Sequence, residues 1–274
     1  LRRAASSIAT AAANYAVAES PGPPRVVWWV NAPHRWHGMS VPGSGYGIDN
    51  PDNVYQGMAV EGGGRYVLHG RQRSPGPVQL HLEVRDSIPG MGEMLAEGGQ
   101  LLATIQTDDI TVAADGSFTI TIDSQPVAER TNHLTVPASG KFLVNVRQLF
   151  TDWGNQRPVY LRLERIDPAP RVPRADIPTL ARRSAAILDR IARYWLDYDN
   201  RFIFSRPANQ FGPPRIRPGG RGIVSSAHYA LASDEALLIT LDPLAAVSLG
   251  VQITDPWGVA YDYRALVPIE LSVA

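Results

Sequence analysis

The residues best suited to chemistry crowd into GIDNPDNVYQG (47–57), where Asp49, Asn50, Asp52, Asn53 and Tyr55 surround Pro51. Asn and Asp side chains bond the backbone two residues on and so build turns. A residue ahead of proline is also pushed towards extended backbone. By that logic Asn50 holds its own turn, and a strand starts near Val54. A turn needs one or two such groups, and this one has four. The surplus is expected at a pocket mouth, with Asp52, Asn53 and Tyr55 hydrogen-bonding a ligand. The alternative is a hydrolase or lyase in which the Asp49/Asp52 pair works with Tyr55 and Arg147, with or without a His-bound metal.

A second pattern pairs acids with indoles. FTDWG (150–154) and TDPWG (254–258) each set an aspartate just ahead of Trp-Gly at the end of a strand-like run. As corners they are self-sufficient, with Asp capping the turn, Trp covering the core edge and Gly supplying a positive φ. If the corners converge, Asp152, Trp153, Asp255 and Trp257 join Arg147, Tyr261, Asp262 and Tyr263 in one cleft. Such a cleft suits a mostly apolar ligand bearing a few hydroxyls or a carboxylate.

Other chemistries find less to work with. His34 and His37 lie three apart but between Pro33 and Gly38, a loop setting. His69 and His81 alternate with apolar residues on neighbouring strands, and with Asp49 or Asp52 they would make a facial metal triad. No H-E-x-x-H spacing supports a metal, no G-x-S-x-G elbow presents a serine, and GGGR (62–65) and PGGRG (218–222) lack the P-loop lysine. The chain has no cysteine, which removes disulfides and thiolate chemistry. No motif calls for a cofactor. Its 26 basic and 26 acidic residues cancel, so the basic excess of a nucleic-acid binder is missing. No stretch reaches the 18 or so apolar residues of a membrane span.

The elements that must position these groups are mostly strands. RVVWWV (25–30), RYVLHG (65–70), PVQLHLEVRD (77–86), KFLVNVRQLF (141–150) and VYLRLERI (159–166) are β-branched or alternating. In PVQLHLEVRD, Val78, Leu80, Leu82 and Val84 face one way, and Gln79, His81, Glu83 and Arg85 the other. DDITVAADGSFTITID (108–123) reads as a hairpin turning at Asp115-Gly116. EALLITLDP (235–243), AVSLGVQITD (246–255) and VAYDYRALVPIEL (259–271) return to β, and AVSLGVQITD echoes PVQLHLEVRD. Residues 1–19 read as a short amphipathic helix ended by Pro21-Gly22-Pro23-Pro24. A longer one is set by Leu180, Ser184, Ile187, Leu188, Ile191, Tyr194, Trp195 and Tyr198, with Thr179 at its cap.

The ordered series NPDNVY, GRYVLHGR, DDITVAADGSFTI, VRQLFTDW, LRLERI and ITDPWG…DYR, spanning about residues 47–264, resembles the family catalogued as domain of unknown function 1214. The resemblance is to its full-length actinobacterial-type members, and it implies a jelly-roll-like sandwich without implying an activity. In those sequences a polar segment follows DYR, and it is expected to be shortened here. The division expected is 1–46 for an N-terminal helix and lead-in, 47–167 for a first β-sandwich region, 168–222 for a linker and helix, and 223–274 for a second β region. The fold class is therefore mainly β, an antiparallel jelly roll or sandwich, with two related halves as one form of it, flanking one long amphipathic helix. The function expected is binding of a hydrophobic or partly hydroxylated small molecule between the β regions.

Overall fold

Alternating runs become strands where a neighbour completes their hydrogen-bond ladder, and most of the expected runs do so. The computed structural model describes residues 1–94, 100–168, 172–217, 222–242 and 245–261. The chain opens with α1 (Arg2–Glu19), β1 (Val27–Val30), β2 (His34–Trp36), β3 (Met39–Val41), β4 (Asn53–Glu61), β5 (Tyr66–Arg71), β6 (Gln79–Arg85) and β7 (Leu101–Gln106). It continues with β8 (Ser117–Asp123), β9 (His133–Thr135), β10 (Lys141–Leu149), β11 (Tyr160–Arg165), α2 (Ile177–Asp199), β12 (Arg215–Ile216) and β13 (Ile223–Val224). Five strands form a sheet in the order β1-β4-β10-β6-β7, and four form another in the order β11-β5-β8-β9. Their ladders are antiparallel apart from the parallel β8–β9 pair. Among the described residues the protein is mainly β, with two α-helices.

The alternation sorts the side chains onto faces. Met58, Val60, Leu80, Leu82, Val84, Val144 and Val146 of the five-stranded sheet meet Tyr66, Leu68, Phe118, Ile120, Ile122, Leu161 and Leu163 of the four-stranded sheet in one apolar cluster. Within it Gln148 donates to Gln56 at 2.8 Å and accepts from the Val159 N–H at 2.7 Å, so its buried amide is satisfied. A second cluster lies on the opposite side of the five-stranded sheet. There Ile8, Ala12 and Tyr15 of α1 and Ile187 and Ile191 of α2 pack with Trp29, Tyr46 and Leu143. A Cβ on Gly57 would lie 1.8 Å from the Trp29 ring, so only glycine lets the β1 indole lie flat on β4.

Several expectations change. Asp115-Gly116 does turn, with Gly116 at φ +80 and Asp115 Oδ1 accepting from Ser117. The arm before it is nevertheless not a strand. Thr107–Asp109 is a 3-10 turn, and β8 pairs with β5 and β9 instead. Strands β7 and β9, unforeseen in the sequence, complete the two sheets. Helix α2 is capped by Asp176, which accepts from the Thr179 N–H at 2.9 Å, so Thr179 donates to the cap and does not form it. Residues 235–242 and 246–253 carry no strand, and the described part of 225–261 has a single bridge, Thr254 to Ala260. The echo between AVSLGVQITD and PVQLHLEVRD thus has no matching strand pair among the described residues. Alternation alone does not make a strand when no partner ladder is in reach. Most of VAYDYRALVPIEL, including Asp262 and Tyr263, lies outside the described residues.

Candidate functional site

The opening motif is first a turn. Asn50 Oδ1 accepts from the Asp52 N–H at 2.9 Å, and the Asn50 carbonyl accepts from the Asn53 N–H at 3.1 Å. Tyr55 from β4 returns its hydroxyl to accept the Asn50 N–H at 3.0 Å. The Arg147 guanidinium sits 5.6 Å over the Tyr55 ring, placed there because the two residues face each other across β4 and β10. Asn53 is 8% exposed, and its Nδ2 has no hydrogen-bond partner. Asp52 leaves its own turn: its carboxyl, pushed up by partial burial, is held by the Trp153 side chain, which pulls the other way.

The two acidic corners pack on different neighbours. Asp152 is occupied by the Gly154 and Asn155 N–H groups and by Asn155 Nδ2, bonds that hold its carboxyl below the usual range. Trp153 stacks on Phe150 at 4.7 Å. At the other corner Asp255 Oδ1 caps the Trp257 and Val259 N–H groups, and Gly258 takes φ +68. Both corners meet the opening motif, the first through Asp52, whose carbonyl accepts from the Phe150 N–H at 2.9 Å and whose carboxyl is held by Trp153, and this one through Ile48 and Asp49. The Ile48 N–H donates to the Gly258 carbonyl at 2.8 Å, and Asp49 Oδ1 accepts from the Ala260 N–H at 3.1 Å. Ile48 is held at φ 61, a conformation costly for a β-branched residue.

Around that junction three carboxylates gather. Burial, offset in part by the Ala260 N–H and reinforced by the Asp255 charge, pushes Asp49 up to about 6. Burial and then Asp255 push Asp199, at the end of α2, up to about 7. Asp199 is 3% exposed and its Oδ1 has no hydrogen-bond partner. Arg3 of α1 reaches Asp255 Oδ2 at 3.3 Å and lies 5.4 Å over the Tyr261 ring. Beside the junction, Ile8, Tyr46, Ile191, Trp195 and Trp257 enclose a cavity of about 10 Å³. That is room for one water, far below the roughly 300 Å³ at which small-molecule sites begin.

A larger space lies on the outer face of the four-stranded sheet. Two cross-strand rows, Arg162–His69–Thr119 and Tyr160–Arg71–Ser117, floor an open groove of about 610 Å³. His69 Nε2 is 3.3 Å from Glu164 Oε2, Arg162 Nη1 donates to the same oxygen at 3.0 Å, and Tyr160 is 69% exposed. Sequence reasoning missed this floor because an outward polar set is what any half-buried strand carries.

The polar face of β6 is buried. Gln79, His81, Glu83 and Arg85 do share a face, but His81, Glu83 and Arg85 are 0%, 1% and 1% exposed. Arg85 Nε and Nη2 grip Glu83 Oε2 at 2.8 and 2.7 Å, while Glu83 Oε1 lies 3.2 Å from His81 Nδ1. His81 Nε2 bonds the Thr104 hydroxyl at 2.7 Å. His69 and His81 therefore stand on the outer faces of two different sheets with the shared core between them, and they cannot share a metal. His34 and His37 belong to the β2–β3 hairpin, His37 in its turn at φ 47. Among the described residues no group of three or more His, Asp or Glu is arranged to hold a metal ion. No helix there is long and apolar enough to cross a membrane.

No family model and no curated protein matches the chain. Among solved structures, an uncharacterised protein from Burkholderia cenocepacia superposes with a TM-score of 0.60 at 21% identity over 81% of this chain. The likeness extends to the fold alone, and this chain spans 56% of that structure's length. A protein from Vibrio parahaemolyticus matches 42% of this chain and 31% of its own at 12% identity, with a TM-score of 0.31, too low to carry an argument.

Proposed function

We propose that the protein binds a partly apolar, partly hydroxylated small molecule in the groove on the outer face of the four-stranded sheet. Volume is the observation that carries this reading. The groove's 610 Å³ falls within the range of ligand sites, whereas the corner junction offers about 10 Å³. The lining supports the ligand class: the exposed Tyr160 offers an aromatic face, and His69, Arg71, Arg162 and Thr119 offer polar groups at cross-strand spacing. The expected ligand class is thus retained, but its place moves from a cleft between β regions to a sheet face. In the same proposal the two sheets sharing one core are a sandwich of jelly-roll type, and the motif series is what supports kinship with the domain of unknown function 1214. The Asp49/Asp52 hydrolase reading has less support, because Asp49 is engaged by the Ala260 N–H and Asp52 by Trp153.

The probe is 4-nitrophenyl β-glucoside, which joins one aromatic ring to a ring of hydroxyls, titrated calorimetrically. Saturable binding is expected, weakened at least about tenfold by Tyr160→Ala, the scale of one lost stacking contact. Trp153→Ala, at the corner, should leave it unchanged. Equal affinity of the wild type and Tyr160→Ala, or no binding at all, removes the groove from consideration.

A further inference from the structure

We infer that Thr104, His81 and Glu83 form a nucleophilic relay able to cleave activated esters, an activity separate from ligand binding in the groove. The order of contacts is that of a hydroxyl nucleophile, its base and the group that orients the base. Thr104 Oγ1 is hydrogen-bonded to His81 Nε2 at 2.7 Å, and His81 Nδ1 lies 3.2 Å from Glu83 Oε1, a charge contact that is not aligned as a hydrogen bond. Function recognises such sites by this geometry, whatever the fold. Sheet register produces it. His81 and Glu83 are two apart on β6 and share a face, and Thr104 sits opposite Glu83 on β7, diagonal to His81.

Each partner's second contact favours the same proton path. Arg85 takes Glu83 Oε2 through two nitrogens, leaving Oε1 as the oxygen turned to His81. A carboxylate beside Nδ1 favours the tautomer protonated there, so Nε2 is the acceptor of the threonine proton. The base is fully buried while Thr104 is exposed, so a substrate meets the hydroxyl with the imidazole behind it. Strand β7 ends its sheet, so alternate backbone N–H groups along it turn away from β6. An outward N–H along Ala103–Ile105 is the candidate donor for a developing oxyanion.

In the step, Thr104 Oγ1 attacks the ester carbonyl carbon as its proton passes to His81 Nε2. Collapse of the tetrahedral species breaks the bond to the alcohol oxygen, which leaves with that proton. Water then attacks the acyl-threonine by the same route, releasing the acid and restoring the hydroxyl.

The test is incubation of the full chain with 4-nitrophenyl acetate, following nitrophenolate release and mapping acetylated peptides. Release from the wild type should carry an acetyl group on the peptide containing Thr104. Thr104→Val, isosteric and at an exposed position, should slow it at least about a hundredfold, because it removes the attacking hydroxyl. Thr104→Ser should retain it. Glu83→Gln, in which Glu83 acts only by positioning His81, should lower kcat with KM unchanged; if that variant does not fold, Thr104→Val decides alone. Equal release by Thr104→Val, or acetylation confined to Lys141, the chain's single lysine, overturns the relay and leaves the three residues as a buried structural network.

Discussion

Asn50 and Tyr55 act as one unit at the residue scale: the amide oxygen of one and the hydroxyl of the other each take a backbone N–H of the same turn. Asn50→Ala should therefore cost about 0.5–2 kcal/mol, as lost caps do, and Tyr55→Phe about 1 kcal/mol for its hydrogen bond. Asp52→Ala should stay within about 0.5 kcal/mol, because burial already disfavours its charge. Urea midpoints of the three variants check this ranking. Asp199 gives a pH signature. Its folded value of about 7 lies above its ordinary 3.8, so the folded protein keeps the proton longer than the unfolded chain. Stability from this site is then intact below about pH 4, falls between that and about pH 7, and is lost above. Asp199→Asn should melt above the wild type at pH 8 and with it near pH 4. A gap of the same size at both values would contradict the shift.

Helix α2 is the element most legible in the sequence, since its three- and four-residue spacing puts Ile187, Ile191, Tyr194 and Tyr198 on one buried face, packed chiefly on α1. Ile191→Ala, at 0% exposure, should cost about 2–5 kcal/mol. Leu188→Ala should cost less, because Leu188 lies only partly buried at the stripe's edge. Arg190, on the exposed side, donates to the Met91 carbonyl at 2.8 Å, and Arg190→Ala should stay within about 0.5 kcal/mol. Thermal melts of the three order the stripe. The cap was one place where spacing misled: Thr179 and Asp176 are both good caps, and only the backbone path decides which carboxyl or hydroxyl faces the free N–H groups.

Taken whole, the molecule stacks a helical layer, a five-stranded sheet and a four-stranded sheet around two apolar clusters. The contact between the first two layers depends on Gly57, where the Trp29 ring leaves no room for a methyl group. Gly57→Ala should cost about 1–3 kcal/mol or more by overpacking and should alter tryptophan fluorescence. No change in either would mean that Trp29 does not rest on β4. What the sequence determined by itself is what local pattern controls: mainly β structure, the faces of β6 and α2, the turn at Asn50 and the corner caps of Asp152 and Asp255. The alternation also told which β6 residues point together. What covers that second face was decided only by tertiary structure, because period two separates faces without saying which meets water. The closed fold buries His81, Glu83 and Arg85 as a charged network, and strand order sets Thr104 beside them. The meeting of Asp49, Asp199 and Asp255, distant in the chain, had no local signal either, since it depends on which loops the closed fold brings together.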